Sequence, residues 1–329
     1  MNPLRPLMLA AAASPRMKSA VTATGPARAL VRRFIAGEDM ADALGVARAL
    51  LSTGRMVTVD FLGEDTTDRA QADAALAEYA GLVTLLGDLQ RERRAAGPAR
   101  GPSAALDAVV PECEVSVKLS ALGQALPGDG GRVALANLHG LCAAAQRSGV
   151  WVTVDAEDHT TTDDTLAAVT ELRREFPWLG VVLQAYLFRT EADCKELAGR
   201  GSRVRLCKGA YREPKTVAHQ SRTDIDQSYL RCLEVLMGGQ GYPMVASHDP
   251  VMIEAAHELV ARSRPAGVDS FEHQMLFGIR DSAQLRLAAQ GYGVRVYVPY
   301  GSQWYGYFMR RLAERPANLA FFLHAVAGR

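Results

Sequence analysis

Along the chain, short β-branched runs that end near a polar residue alternate with longer amphipathic stretches. The runs are Met56–Asp60, Val115–Leu119, Trp151–Asp155, Val181–Gln184, Arg203–Leu206, Met244–Ser247, Ser270–His273 and Val294–Tyr297. Between them, Arg69–Arg94, Ala134–Arg147, Thr165–Glu175, Ile225–Met237 and Pro250–Arg262 carry helical patterning. Strands that alternate with helices predict βαβ units and a parallel sheet. Eight such units predict an α/β fold of the closed (β/α)8 type, with an open doubly wound sheet as the alternative. Residues 1–50 read as a helical extension ahead of the first strand, and 51–329 as the barrel domain. A last helix is expected from Trp304 to Glu314, and Pro316 opens a terminal segment with the apolar run Leu319–Leu323. Two stretches read as irregular: the Pro/Gly-rich, basic loop Arg93–Ser103 and the segment Arg212–Ser221.

Composition narrows the classes that remain. Of 329 residues, 48% are apolar and 22% charged, which provides a sizeable core and argues against a disordered chain. Length alone suggests two domains, but barrels of roughly 250 residues plus additions fold as one unit. Lys plus Arg is 37 against 36 for Asp plus Glu, so no basic excess points to nucleic acid. Only five of those cations are lysines (Lys18, Lys118, Lys195, Lys208 and Lys215), so Lys118, inside an apolar strand, stands out. The five cysteines, Cys113, Cys142, Cys194, Cys207 and Cys232, show no C-x-x-C spacing. That fits a reducing compartment without a disulfide framework. No apolar run reaches the roughly 18 residues of a membrane span. The short run Leu7–Ala13, preceded by Arg5 alone, reads as an N-terminal helix rather than a signal peptide.

Candidate chemistry follows from strand alternation, which puts every second side chain on one face. Ser116 and Lys118 share a face, as do Thr153 and Asp155, Arg203 and Arg205, and Arg295 and Tyr297. With the apolar faces turned to the helices, the polar residues nearest the C-terminal strand ends lie at the catalytic mouth of such a barrel. They are Lys118, Asp155, Gln184, Arg205, His248 and Tyr297. Each has a plainer role open to it: a snorkelling lysine, a loop-entry aspartate, a core amide, an ion-pair arginine, a turn histidine, a core tyrosine. Their coincidence on one rim carries more than any one alone. The last helix adds Arg310 and Arg311, with Glu314 at i+4 and i+3, spacings that allow ion pairs on a helix surface. Adjacent guanidiniums repel unless an anion offsets them, and a ligand carboxylate suits arginine's fork. Lys118, Arg205, Lys208, Arg310 and Arg311 against Asp155 and Glu314 predict an anion-binding mouth. The P-loop pattern G-x-x-x-x-G-K is missing, and no G-x-G-x-x-G follows a strand, which excludes P-loop and Rossmann chemistry. Gly209, in Lys208-Gly-Ala-Tyr211, would let backbone approach a ligand. No metal site is assigned; the nearest approach to one would bring His248 and His273 together with Asp155 or Glu272.

Taken together, VSVKLSALG (115–123), VDAED (154–158), VVLQAYL (181–187), RVRLCKGAYREP (203–214), ASHDP (246–250), FEHQMLFG (271–278) and VYVPYGSQWYGYFMRRLAERPAN (296–318) resemble the proline dehydrogenase family, in particular its single-function bacterial members. TVDFLGE (58–64) matches more loosely, and the likeness runs over about residues 30 to 325. The resemblance implies a distorted (β/α)8 TIM-type barrel with extra N-terminal helices and a displaced final helix at the mouth. It also implies non-covalent FAD, and oxidation of L-proline to Δ1-pyrroline-5-carboxylate by hydride transfer to the flavin. By the same resemblance, Lys118, Arg310 and Arg311 hold the substrate carboxylate and Glu314 steadies the arginines. Arg205 lies near flavin N5, Asp155 lies by the substrate, and Tyr297 and Leu206 shape the pocket around the ring. Gln184, Lys208, Gly209, Ala210, Ser247 and His248 fall where the family contacts FAD; serine at 247, often threonine in relatives, keeps the hydroxyl. The implied electron acceptor is a membrane quinone, which suits a cytoplasmic protein, free or peripheral on the inner face of the cytoplasmic membrane. A homo-oligomer stays open. Two rivals also remain: a Schiff-base lyase using Lys118 or Lys208, and a silent barrel that binds an amino acid as a sensor.

Overall fold

The computed structural model describes residues 25–63, 66–96, 102–103, 108–264 and 266–313, with the side chains of 25–27, 102–103, 108–109 and 310–313 outside that description. Eight parallel strands close into a barrel in chain order: β1 (Met56–Phe61), β2 (Cys113–Val117), β3 (Trp151–Val154), β4 (Gly180–Gln184), β5 (Arg203–Cys207), β6 (Tyr242–Ala246), β7 (Glu272–Leu276) and β8 (Gly293–Tyr300). The closing seam is the longest pairing, running from Met56 opposite Arg295 to Phe61 opposite Tyr300. A short antiparallel pair, Pro102–Ser103 with Ala108–Val109, lies outside the barrel. The open doubly wound alternative is thereby excluded.

Ten helices are described: α1 (Gly25–Arg32), α2 (Met40–Ser52), α3 (Arg69–Ala96), α4 (Gly130–Ser148), α5 (Thr162–Leu172), α6 (Thr190–Leu197), α7 (Arg222–Gly238), α8 (Pro250–Ser263), α9 (Asp281–Ala289) and α10 (Trp304–Ala313). Their starts follow ordinary capping chemistry. Asp39 accepts from the Asp42 N–H, Ser221 from the Asp224 N–H, and Asp249 from the Val251 N–H with Pro250 at the first position of α8. Such side chains satisfy amide groups that the first turn leaves without partners. The N-terminal apolar run Leu7–Ala13, Glu314 and Leu319–Leu323 lie outside the described residues, as does the centre of the loop Arg93–Ser103. Among the described residues, no helix is long and apolar enough to cross a membrane.

The main core lies between barrel and helices. Val57, Val59, Val115, Val117, Val152 and Val154 all point into it and meet Leu82, Leu86, Leu138 and Leu141. The opposite strand faces are polar. Thr58 donates to Glu114 at 2.8 Å, and Arg203 pairs with the same carboxylate. Arg295 grips Glu272 in a fork at 2.7 and 3.0 Å, and both side chains are fully buried. Arg203 also stacks over Trp151, 4.2 Å from the ring centre. Barrel interiors of this fold are filled mainly by aliphatic layers; this one is floored by ion pairs. A separate apolar cluster joins Leu30, Phe34 and Ile35 to Trp304, Tyr305, Phe308 and Met309. It anchors α10 beside the mouth, and Tyr307 on that helix reaches the cavity there.

Strand β7 departs from expectation. A short 3-10 turn occupies Gly267–Ser270, so the strand begins at Glu272 and runs on to Leu276. His273, between the inward-facing Glu272 and Gln274, faces the helices. Its Nε2 lies 3.0 Å from His257 Nε2 on α8, and Tyr292 stacks flat on His257 at 4.2 Å. That hydrogen bond needs one proton between the two nitrogens. Burial, with His257 next to it, pushes the His273 pKa down to about 3; burial also lowers His257, against the opposing field of Glu254. A histidine whose folded pKa lies below its unfolded value stabilises the fold above about pH 6.5, and that stability is lost as pH falls from there toward 3. The expected result is a Tm that drops from pH 7 to pH 5, with a His273→Phe variant losing much of that slope. Parallel slopes for the two proteins would contradict the account.

Candidate active site

The C-terminal strand ends open onto a cavity of about 430 Å³, within the usual range for small-ligand sites. Its wall holds Asp60 from β1, Lys118 just beyond β2 and Asp155 just beyond β3. Gln184 ends β4, Arg205 and Cys207 come from β5, Gln274 comes from β7 and Tyr297 from β8. The β5 loop adds Lys208, Gly209, Ala210 and Tyr211, and the β6 loop adds Ser247, His248 and Asp249. Lys118, Asp155, Gln184, Arg205, His248 and Tyr297 thus meet in one place. Alternation explains it: each is in phase with the inward face of its strand.

Arg205 is the hub. It donates through Nη1 to Asp155 Oδ1 at 2.7 Å and to Ser116 Oγ at 2.8 Å, through Nη2 to Glu114 Oε1 at 2.9 Å, and through Nε to Gln274 Oε1. Burial works against its charge, but Asp155 and Glu114 outweigh it, and its pKa is raised. Glu114 is fully buried, yet Arg203, Arg295 and Arg205 hold its carboxyl well below the usual range. Asp155 bridges Arg205 to Tyr297, whose hydroxyl donates to Asp155 Oδ2 at 2.8 Å. Burial and the Asp155 and Asp60 carboxylates push that phenol well above its ordinary pKa, so it stays protonated. The Arg205 guanidinium also lies over the Tyr297 ring, 5.4 Å from its centre.

The remaining groups are fixed by the loops. Lys118 Nζ lies 3.5 Å from Asp60 Oδ2. Gln184 donates to the Glu157 carbonyl at 2.6 Å, while the Glu157 carboxylate holds Ser120. His248 Nε2 accepts from the Leu276 N–H at 2.9 Å, which places that ring's proton on Nδ1 when neutral. Its carbonyl accepts from Arg280, a residue held at φ 53° at the start of α9. Lys208 sits between Asp226 at 2.5 Å and Asp249 at 2.9 Å, so the residue that caps α8 also anchors the β5 loop. The Ser247 hydroxyl accepts from the Asp249 N–H at 3.1 Å.

Two expectations change. Leu206 does not line the cavity. It is out of phase with Arg205 and Cys207, so its side chain lies in the core between barrel and helices. His248 and His273 do not meet, because His273 lies between the inward-facing Glu272 and Gln274 and so points outward, toward His257. Among the described residues no cluster of His, Cys, Asp and Glu is placed to hold a metal ion. In the described lining Lys118, Arg205 and Lys208 face Asp60, Asp155 and Asp249, so charges balance there. An excess of positive charge would rest on Arg310 and Arg311, whose side chains, like all of Glu314, lie outside the described residues. The five cysteines are free thiols.

Sequence reasoning passed over Asp60, Glu114 and Gln274. Asp60 had a signal: β1 and β3 share the string Val-Thr-Val-Asp, at 57–60 and 152–155, so Asp60 stands where Asp155 does. Glu114 lies before the run read as the second strand and enters only because β2 starts at Cys113.

The family profile described as proline dehydrogenase matches residues 43–324. Proline dehydrogenase 1 of Bacillus subtilis subsp. natto is 36% identical over 296 residues, covering 90% of each chain. The proline dehydrogenase of Deinococcus radiodurans is 38% identical over 299 residues, again 90% of each. Among solved structures, proline utilization A from Bdellovibrio bacteriovorus, inactivated by N-propargylglycine, superposes with a TM-score of 0.77 at 26% identity. That match covers 91% of this chain and 34% of the other, so this chain spans about a third of that larger protein. With the profile matched over most of its length and single-function relatives matched nearly end to end, the chain belongs to the proline dehydrogenase family.

Proposed function

We propose that this protein oxidises L-proline to Δ1-pyrroline-5-carboxylate at the barrel mouth, with non-covalent FAD as hydride acceptor and a membrane quinone as the next acceptor. The observation that carries this reading is the convergence of Lys118, Asp155, Arg205 and Tyr297 with Gln184, Lys208–Ala210, Ser247 and His248 on one cavity. The donor set suits a flavin nucleotide: a guanidinium, an ammonium, a side-chain amide and a hydroxyl stand among apolar walls such as Val182, Ala246, Met275 and Leu276. Gly209 leaves the rim without a side chain. When bound, the flavin supplies the two-electron acceptor that the protein's own groups lack.

The chain's part is to bind and orient. Lys118, steadied by Asp60, would meet the proline carboxylate together with Arg310 and Arg311, with Glu314 holding the arginine pair. Arg205 would stand near the flavin, where a fixed cation favours the reduced, more anionic form. Asp155 cannot rotate freely, because Arg205 and Tyr297 each hold one of its oxygens. It would give the ring side of the substrate a fixed wall. Fixing the ring so that its hydride-bearing carbon faces the acceptor can contribute roughly 7–11 kcal/mol in favourable cases. Leu206 is left out of the pocket. In this reading the protein is cytoplasmic and touches the inner face of the membrane while passing electrons on.

The test is anaerobic addition of L-proline to purified protein. A visible flavin band that bleaches with proline, and returns on adding a soluble quinone, is the expected result. A bound flavin that stays oxidised would make proline the wrong substrate. A colourless protein that takes up no FAD would overturn the reading and favour the lyase, which borohydride would trap with substrate, or the sensor.

A further inference from the structure

The β5 loop, Lys208 to Ser221, runs fourteen residues without a helix, yet its first four residues form a wall of the cavity. Its ends are pinned to the segment after β4. Tyr186 N–H donates to the Lys208 carbonyl at 3.0 Å, His219 N–H to the Tyr186 carbonyl at 2.8 Å, and Phe188 N–H to the Val217 carbonyl at 3.0 Å. The middle of the loop is tied to its neighbours through Glu213. Although Arg212, Pro214 and Lys215 are exposed, the Glu213 side chain is turned inward and only 3% exposed. Its Oε1 accepts from the His159 N–H at 2.9 Å and from the Tyr186 hydroxyl at 3.3 Å, and its Oε2 pairs with His159 Nδ1. Gln220 Nε2 donates to the Glu213 carbonyl at 3.3 Å.

Tyr186 connects this bond set to the cavity. A Cβ at position 209 would collide with the Tyr186 ring, so the ring lies against the bare Gly209 backbone at φ 109°. The hydroxyl at the other end of the same ring bonds Glu213. One carboxylate therefore ties together three loops: that of β3 through His159, that of β4 through Tyr186, and its own. Glu213 does not itself line the cavity. Burying a carboxylate is costly unless it is paired, and all of this one's bonds go to loops rather than to the core.

We propose that Glu213 is a positioning residue: with His159 and Tyr186 it forms a clasp that sets the Lys208–Tyr211 wall, and so the affinity of the site for its flavin. The role rests on the flavin reading above, but one readout does not. Arg212 and Lys215, both exposed, are trypsin sites on either side of the clasp residue. Cleavage after them requires the loop to leave the barrel, and flavin-free protein serves for that measurement.

In Glu213→Ala, the His159 amide and the Tyr186 hydroxyl lose their partner. Trypsin cleavage after Arg212 and Lys215 is expected to quicken about tenfold or more, and the Kd for FAD, read from quenching of flavin fluorescence, to rise by a similar factor. Glu213→Gln keeps an oxygen that can accept from the His159 amide and falls between. Should Glu213→Ala not fold, Tyr186→Phe removes only the hydroxyl and moves both readouts in the same direction. Wild-type cleavage at both sites with wild-type FAD affinity overturns the proposal. Cleavage that accelerates equally at sites throughout the chain, in step with a lower Tm, also overturns it, because Glu213 then only stabilises the fold. If wild-type protein binds no FAD, the flavin reading fails while faster cleavage at the two sites still identifies the clasp.

Discussion

Arg205→Met is expected to lower kcat/KM for L-proline by about 10²–10³-fold, the range seen when one preorganised charge-stabilising donor is removed from an active site. In the cavity wall Arg205 joins β2, the end of β3 and β7 through side-chain bonds, to Ser116 and Glu114, to Asp155, and to Gln274. Methionine fills a similar volume and removes all four bonds. Asp155 then keeps the Tyr297 hydroxyl but loses its cation, and one oxygen is free to turn. Glu114 keeps Arg203 and Thr58, so the floor beneath should survive. The measurement is the anaerobic rate of flavin reduction by proline, with the flavin absorption spectrum reporting that cofactor is still bound. Arg205→Lys restores a charge without the fork and should recover only part of the loss. A methionine variant that reduces flavin at the wild-type rate would remove Arg205 from the mechanism.

The second large effect concerns stability. Arg295 and Glu272 are both fully buried and bonded in a fork. Removing one partner leaves an uncompensated charge in the barrel floor, which costs about 3–5 kcal/mol. Arg295→Met and Glu272→Leu, each alone, should therefore lower the midpoint of urea unfolding substantially. Together they should cost less than the sum, by at least about 2 kcal/mol, because the double variant strands no charge. Recovery will not be complete. Arg295 also donates to the carbonyls of Val57 and Pro111 at 3.1 Å, and Glu272 accepts from Gln274. Strict additivity of the two single changes would show that the pair contributes nothing as a pair.

The barrel was legible because its two periodicities are clean. Val-Thr-Val-Asp in β1 and β3 and Val-Ser-Val-Lys from β2 into its loop put apolar residues on the helix side and polar ones inside. The same alternation brought Lys118, Asp155, Arg205 and Tyr297 to one cavity. It also contained the reason to keep Leu206 out: a residue next to Arg205 on a strand must face the other way. Resemblance placed Leu206 at the pocket, and geometry places it in the core. One other departure has a physical cause. The boundary of β7 was misread because Ser270-Phe-Glu-His looks like strand, while the chain spends Gly267–Ser270 on a 3-10 turn. The described part of the mouth is balanced in charge because acids that serve other elements also face it. Asp249 caps α8 and Asp60 faces inward near the end of β1, and neither place shows in a charge count along the sequence. Short polar helices such as α6 and α9 have weak periodicity to find.

The ionic floor gives this barrel its own response to heat. Hydration of charged groups becomes less favourable as temperature rises, so the penalty for keeping Glu114, Arg203, Glu272 and Arg295 out of water shrinks on warming. Aliphatic burial offers no comparable gain, since its contribution per unit area levels off. A barrel floored this way is costliest to close in the cold, and its relative advantage over an aliphatic interior grows toward the upper end of the temperatures at which the cell lives.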